Sequence, residues 1–245
     1  MAVSVNSVIH YTRTLDNLKG IIADSFKIKY CLENVTGVDS AFPLVSFCDI
    51  PLYQVKNHMV DYGYYGIGLS KAWANKNNLN PVLYINGDSY LDLLLKDQGE
   101  RINAAVRKDA KSFDWDWLYQ YVSLLSFVKA YKGKVTINSI QQERIFYNER
   151  EWRYVPSRAE LKANGAQPQI YGPNYLARKN EFNDTLKKMS LQFSIEDISY
   201  LIVDTDADVH EIIDHVKQIY KKKHEREIEL LITKIFTKKQ IFEDL

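Results

Sequence analysis

At 245 residues, with 46% hydrophobic and 26% charged residues, the chain is long enough for one large domain and too apolar for disorder to dominate. A formal net charge of +1 gives no global pull towards nucleic acid or a membrane surface, and two cysteines exclude a disulfide framework. Residues 1–8 lack the basic and apolar regions of a secretory signal, and no apolar run approaches the roughly 20 residues of a membrane span, so a cytoplasmic protein without a membrane partner is expected. Tyrosines (17) outnumber phenylalanines (10), a bias that suits a half-buried, half-wet groove.

In chain order, residues 3–11 alternate and are β-branched, which predicts a strand. Thr14 or Asp16 can cap a short helix over 17–22, with Leu18, Ile21 and Ile22 on one face. Residues 42–47 form a second strand candidate. Asp49 and Pro51 then read as the cap and first turn of a helix over 52–62, stopped by Gly63. Residues 64–70 predict a third strand, in which Gly66 and Gly68 share a face and admit a close backbone or ligand. A short helix over 71–76 leads through Asn80-Pro81 into a strand over 82–85.

Residues 88–131 keep a helical period with a break near Phe113, and the segment 88–141 reads as a helical insertion. Residues 147–155 predict an unusually polar strand. Residues 156–174, rich in Pro, Gly and Asn, read as a long loop or lid. The tail predicts strand 200–203, helix 209–220, strand 229–235 and helix 238–242, a spacing that suits a right-handed crossover.

Three segments could carry chemistry. His10, ending the first strand before Tyr11 and Thr12, either donates to a ribose hydroxyl or is a hydrogen-bonded residue at a sheet edge; spacing alone favours the edge. On a strand, Glu149, Glu151 and Arg153 share one face, the two carboxylates about 7 Å apart. Such a pair either stabilises a bound cationic intermediate or forms an ion ladder with Arg153 and lysines, and the residues do not choose between these. Around Ser46-Phe47-Cys48-Asp49 and Tyr62 to Gly68, aromatic residues beside a glycine strand either stack on a planar ring or fill core and rim. No dinucleotide fingerprint, phosphate-binding loop, nucleophile elbow or zinc-type histidine spacing occurs, so no metal is expected.

The segments Val8-Ile9-His10-Tyr11-Thr12, Ser46 to Leu52, Tyr62-Gly63 with Tyr65-Gly66-Ile67-Gly68, Asn80-Pro81-Val82 and Glu149-x-Glu151-Trp152-Arg153 resemble the bacterial abortive-infection AbiGi family. The resemblance covers most of the chain. It implies a role in phage resistance, and members are often labelled as an antitoxin paired with a nucleotidyltransferase-like toxin. The first-strand histidine followed by Asn17-Leu18-x-x-Ile21-Ile22 is more distantly similar to DarT-type ADP-ribosyltransferases.

That second likeness implies a single α+β domain over 1–245 with a split β-sheet core, the helical insertion and a C-terminal strand-helix-strand unit. It implies NAD as substrate, held by His10, Tyr11, Thr12, Ser46 and Arg153, with Tyr62 or Tyr65 stacking and Glu151 or Glu149 catalytic. The acceptor would be protein or nucleic acid. The other expectation is a non-catalytic antitoxin that binds a cognate toxin.

Overall fold

A computed structural model describes residues 5–137 and 140–244; the expected start of the first strand, residues 3 and 4, lies outside these. Strand β1 (Ser7–Thr12) leads into helix α1 (Leu15–Asp24), whose Thr14 cap accepts from the Asn17 amide. After the short β2 (Phe26–Lys27), strands β3 (Lys29–Val35) and β4 (Val38–Cys48) form a hairpin. Its two-residue turn, Thr36-Gly37, has both φ angles positive, the twist that suits such a hairpin. The sequence reading detects only the 42–47 part of this hairpin, because Glu33, Asn34 and Asp39 interrupt its apolar signal.

A 3-10 turn over Leu52–Gln54 precedes α2 (Lys56–Tyr62). Asp49 does not cap it: its carboxylate accepts instead from the Val5 amide and Lys71. Gly63 ends α2 at φ 120°, where a Cβ would lie 2.1 Å from the Thr12 carbonyl oxygen, so β1 and this turn can meet only at glycine. Strand β5 (Tyr65–Ser70) runs antiparallel along all of β1. The room at Gly66 and Gly68 is taken by the rings of Tyr11 and Tyr200, so these glycines serve side-chain packing.

Helix α3 (Lys71–Lys76) and the short β6 (Asn80–Pro81) follow, with β6 at the sheet edge where a proline is tolerated. Strand β7 (Leu83–Ile85) opens the insertion, which is helical only through α4 (Tyr90–Lys108) and α5 (Trp115–Leu125). It then turns to strands: β8 (Val128–Ala130), parallel to β7, and the hairpin β9 (Lys132–Ile137) with β10 (Ile140–Ile145). The polar segment expected to be one strand is a 3-10 turn, Phe146–Glu149, joined through a left-handed Arg150 (φ 44°) to β11 (Glu151–Tyr154).

The expected lid over 156–174 is packed structure: α6 (Arg158–Ala163), then β12 (Ile170–Tyr171) paired with β4. The Tyr30 hydroxyl pins it through both the carbonyl and the amide of Gln167. Helices α7 (Gly172–Ala177) and α8 (Lys179–Asp184) and the short β13 (Ser190–Leu191) complete this region. In the tail, β14 (Ile198–Val203) and α9 (Asp206–Ile219) match the expectation. The expected strand over 229–235 is mostly α10 (Glu225–Ile232), and the parallel partner of β14 is β15 (Ile235–Thr237), before α11 (Lys238–Glu243).

The architecture is α+β, and the main sheet runs β15-β14-β5-β1-β4-β11-β6. Alternation along β1 sends Val8 into a core with Leu18, Ile67 and Leu201, while Ile9 and Tyr11 pack on the other face with Cys48, Val55 and Met59. A third cluster, including Phe42, Leu95, Val122 and Val128, seats the insertion. In the middle of the sheet β1 and β4 are paired only at Ile9 and Cys48. Beyond that point they diverge, and the gap between them positions the site.

Candidate functional site

His10 lies just past the last β1–β4 pair. Its Nδ1 is 2.8 Å from the Ser46 carbonyl oxygen, which can only accept, so Nδ1 carries the proton and Nε2 of the neutral ring is an acceptor. Burial keeps the ring neutral by lowering its pKa, against the raising effect of the Ser46 hydrogen bond, with Lys29 lowering it further. Phe26 and Phe47 hold the imidazole edge-on, at 5.2 and 5.7 Å between ring centres.

Glu151 faces the gap from β11. It pairs directly with Cys48, so its side chain projects on the Ile9 and Tyr11 face of the sheet. Its Oε1 accepts from Ser46 Oγ and Arg153 Nε, each at 2.7 Å, and its Oε2 accepts from Lys129 Nζ at 2.7 Å. The Tyr84 hydroxyl accepts from the Glu151 amide. Glu149, on the 3-10 turn, accepts from Lys129 at 2.6 Å through Oε2 and from the Tyr62 hydroxyl at 2.6 Å through Oε1. The two glutamates therefore converge on one ammonium, although a turn with a left-handed residue, and not strand alternation, brings them together.

The electrostatics follow from burial and pairing. Burial opposes ionisation of Glu151, but Arg153 and Lys129 outweigh it and hold the carboxyl down at about 2. Burial likewise works against Lys129 and Arg153, and the surrounding carboxylates override it and push both upward. Glu33, bonded to Arg153 Nη2 at 2.7 Å, is raised by burial despite that partner. His58, stacked on Tyr62 at 4.4 Å, is lowered to about 4 chiefly by burial.

These groups surround a cavity of about 290 Å³ at the strand divergence, lined among others by His10, Tyr11, Ser46, Tyr62, Glu149 and Glu151. A second cavity, about 410 Å³, adjoins it on the His10 side and shares His10, Cys31 and Ser46; Thr12 lines this one. A third, about 480 Å³, adjoins on the α2 side and shares His58, Tyr62 and Glu149. The buried Tyr11 hydroxyl has no hydrogen-bond partner among the described residues.

Two expected site residues lie elsewhere. The Tyr65 hydroxyl donates to Asp208 at the start of α9 and Tyr65 lines none of these cavities, whereas Tyr62 lines two of them with its ring already stacked on His58. Arg153 is fully buried behind Glu151, with Nη1 donating to the Ser126 carbonyl oxygen, and positions carboxylates without facing the cavity. Sequence reasoning missed Lys129, Glu33 and His58. The signal for Lys129 was a single lysine between Val128 and Ala130 in an apolar run; Glu33 and His58 gave none above their surroundings. Among the described residues no group of three or more His, Cys, Asp or Glu side chains could hold a metal, and no helix is long and apolar enough to cross a membrane.

Residues 24–204 match the family described as "Putative abortive phage resistance protein AbiGi, antitoxin". That span includes Glu33, Ser46, Tyr62, Lys129 and both glutamates, and begins after His10. The "Abortive phage resistance protein AbiGi" of Lactococcus lactis subsp. cremoris is 25% identical over 240 residues, covering 89% of this chain and 94% of that protein. No solved structure matches the chain.

Proposed function

The chain belongs to the AbiGi family of abortive phage resistance proteins, and from that premise we propose that it is a phage-defence effector that transfers ADP-ribose from NAD to a macromolecule. One observation supports this most: His10, Tyr62, Glu149 and Glu151 line a single cavity where β1 and β4 part. That divergence is also what an ADP-ribosyltransferase-like split sheet would require.

In the reaction, the bond between the nicotinamide nitrogen and the ribose C1′ breaks, and its electron pair leaves with neutral nicotinamide. The ribosyl cation that remains is attacked at C1′ by the acceptor, which gives up a proton. Glu149 and Glu151 both line the cavity, so carboxylates stand in place where a cation would develop. Glu151, held ionised by Arg153 and Lys129, supplies the fixed negative charge. Glu149, tied to fewer partners, takes the acceptor proton. His10 Nε2 accepts from a ribose hydroxyl, the stacked Tyr62 and His58 rings form one wall beside the substrate, and the Tyr11 hydroxyl meets a polar atom of it. The adjoining cavities on either side have room for the rest of the dinucleotide and for the acceptor, within the usual size range of ligand sites.

Incubation of the purified protein with labelled NAD and cell lysate tests this reading. Expected are free nicotinamide and a labelled macromolecule, both lost in a Glu149→Gln/Glu151→Gln variant. No label and no nicotinamide, with the variant behaving identically, refutes it.

A second reading is favoured by the word "antitoxin" in the family description and by the saturation of Glu151, whose two oxygens already receive Ser46, Arg153 and Lys129. In that reading the chain binds a cognate toxin and has no turnover. Its expression alone is then harmless and a partner co-purifies. Toxicity of the lone chain that disappears with Glu151→Gln excludes it.

A further inference from the structure

The carboxylates of Glu149 and Glu151 are unequal in what holds them. Glu151 is anchored by Arg153 and Ser46 whatever Lys129 does. Glu149 sits on a 3-10 turn that ends in the left-handed Arg150, and besides Lys129 it accepts from the Tyr62 hydroxyl. Between the two carboxylates stands a single nitrogen, Lys129 Nζ, at 2.6 and 2.7 Å. It comes from the insertion: β8 lies parallel to β7, its Val128 side chain packs under the insertion, and alternation sends Lys129 the opposite way, into the cavity wall. Nζ also lies 5.3 Å from the centre of the Phe146 ring, which closes off a further side. Only 13% of the lysine side chain is exposed.

This ammonium is shared by two buried carboxylates on separate elements. We propose that Lys129 is a positioning residue, whose ammonium draws Glu149 to Glu151 so that both carboxylates face one point of the cavity. Its consequence for catalysis rests on the transferase reading above; its consequence for the carboxylate pair does not. Without the cation the like charges repel, and the turn bearing Glu149 is the part free to move. Lysine suits the place because a compact point charge serves two oxygens from one atom, where the flat guanidinium fork of arginine would favour one carboxylate.

The test uses Lys129→Ala, which removes the equivalent of n-propylammonium from the wall. NAD turnover is measured for wild type and variant, with and without added n-propylammonium, and with 1-butanol as the neutral control of similar size. The expected result is a fall in kcat of about 100-fold, the size of loss that a misplacement of about 1 Å brings, with KM changed less than threefold. Propylammonium restores at least tenfold of the loss and butanol does not. Lys129→Arg keeps the charge and stays within about tenfold of wild type. A wild-type kcat in Lys129→Ala, or a loss that propylammonium does not relieve, overturns the proposal. If wild type turns over no NAD, the transferase reading falls, and melting temperature still reads the pair. Propylammonium then raises the melting temperature of Lys129→Ala and leaves that of wild type unchanged, because only the variant has the vacated cation position. No such difference overturns the positioning role. If Lys129→Ala does not fold, Lys129→Gln takes its place, with kcat lost and KM kept as the expected result and a wild-type kcat as the refuting one.

Discussion

Arg153→Met removes the one fully buried cation of the site while filling much of its volume. Arg153 Nε and Nη2 each lie 2.7 Å from a carboxylate oxygen, on Glu151 and Glu33, and Nη1 lies 2.8 Å from the Ser126 carbonyl oxygen. Removing one partner of a buried ion pair leaves an uncompensated charge, at about 3–5 kcal/mol. A second route gives a similar size: holding Glu151 at about 2 against an ordinary 4.5 corresponds to about 3 kcal/mol, which Arg153 shares with Lys129. The expected loss is therefore about 3–4 kcal/mol at pH 7, read as a lower urea midpoint at unchanged slope and a melting temperature lower by about 10 °C. The sign with pH is also determined. Glu151 has its folded pKa below its unfolded one, so its contribution is present above about 4.5 and is lost as pH falls towards about 2. The gap between wild type and Arg153→Met accordingly narrows from pH 7 to pH 3. Adding Glu33→Gln to Arg153→Met recovers about 1–2 kcal/mol by removing one of the stranded charges. A loss below about 1 kcal/mol, or a gap of equal size at pH 3 and pH 7, refutes the electrostatic account of the cluster.

Two further outcomes follow from burial and close packing. His58 is held neutral by burial, with its folded pKa of about 4 below the ordinary 6.5, so it contributes up to about 3 kcal/mol above pH 6.5 that is lost as pH falls towards 4. His58→Phe, which keeps the stack on Tyr62, flattens the fall in urea midpoint between pH 7 and pH 4.5; an unchanged slope with pH contradicts this. Gly68→Ala puts a Cβ 2.5 Å from the Tyr200 ring, whose hydroxyl is fixed by Ser7, and lowers stability by about 1–3 kcal/mol in chemical denaturation. In the same assay Gly20→Ala, inside α1 with nothing near its Cβ, raises stability by about 0.5–1 kcal/mol, and equal effects at the two glycines would sink the packing argument.

What could be read from the sequence was whatever depends on local pattern. The β-branched alternation of β1, the Thr14 cap, the Gly63 stop and the step from β14 into α9 each announce themselves in a short local pattern, whereas the strand expected over 229–235 is mostly α10. The hairpin of β3 and β4 did not, since polar Glu33 and Asn34 break an alternation whose partner strand supplies the burial. Residues 147–155 misled in a different way. Their composition suits a strand, yet Arg150 adopts a left-handed conformation that only the surrounding contacts can impose, among them its carbonyl oxygen accepting from the Asp49 amide. Of the expected site, His10, Tyr11, Ser46, Tyr62, Glu149 and Glu151 meet at one cavity because they lie near the ends of strands and one helix that converge there. Lys129 was invisible because its role depends on β8 pairing with β7, a contact across the whole helical insertion.

The insertion bears on the choice between transferase and antitoxin. Its two helices are seated by an apolar cluster and could present a surface to a partner without contributing any charge to the sheet. Instead the strand that follows them delivers a lysine to two glutamates, and the end of α5 sets the Ser126 carbonyl oxygen against Arg153. Burying Glu149, Glu151 and Arg153, with Glu33 and Lys129 half-buried beside them, is less stabilising than an apolar filling of the same volume would be. A surface built only to bind gains nothing from that expense, whereas a cavity that must face a developing cation needs fixed, ionised carboxylates already in place before the substrate arrives. On the transferase reading, stability and function are thereby set against each other at Glu149. If the chain is a transferase, Glu149→Leu combined with Lys129→Met loses NAD turnover while the protein stays folded. If it is only a binding protein, wild type turns over no NAD and the same variant keeps partner capture, so paired measurements of NAD turnover and of partner capture separate the two.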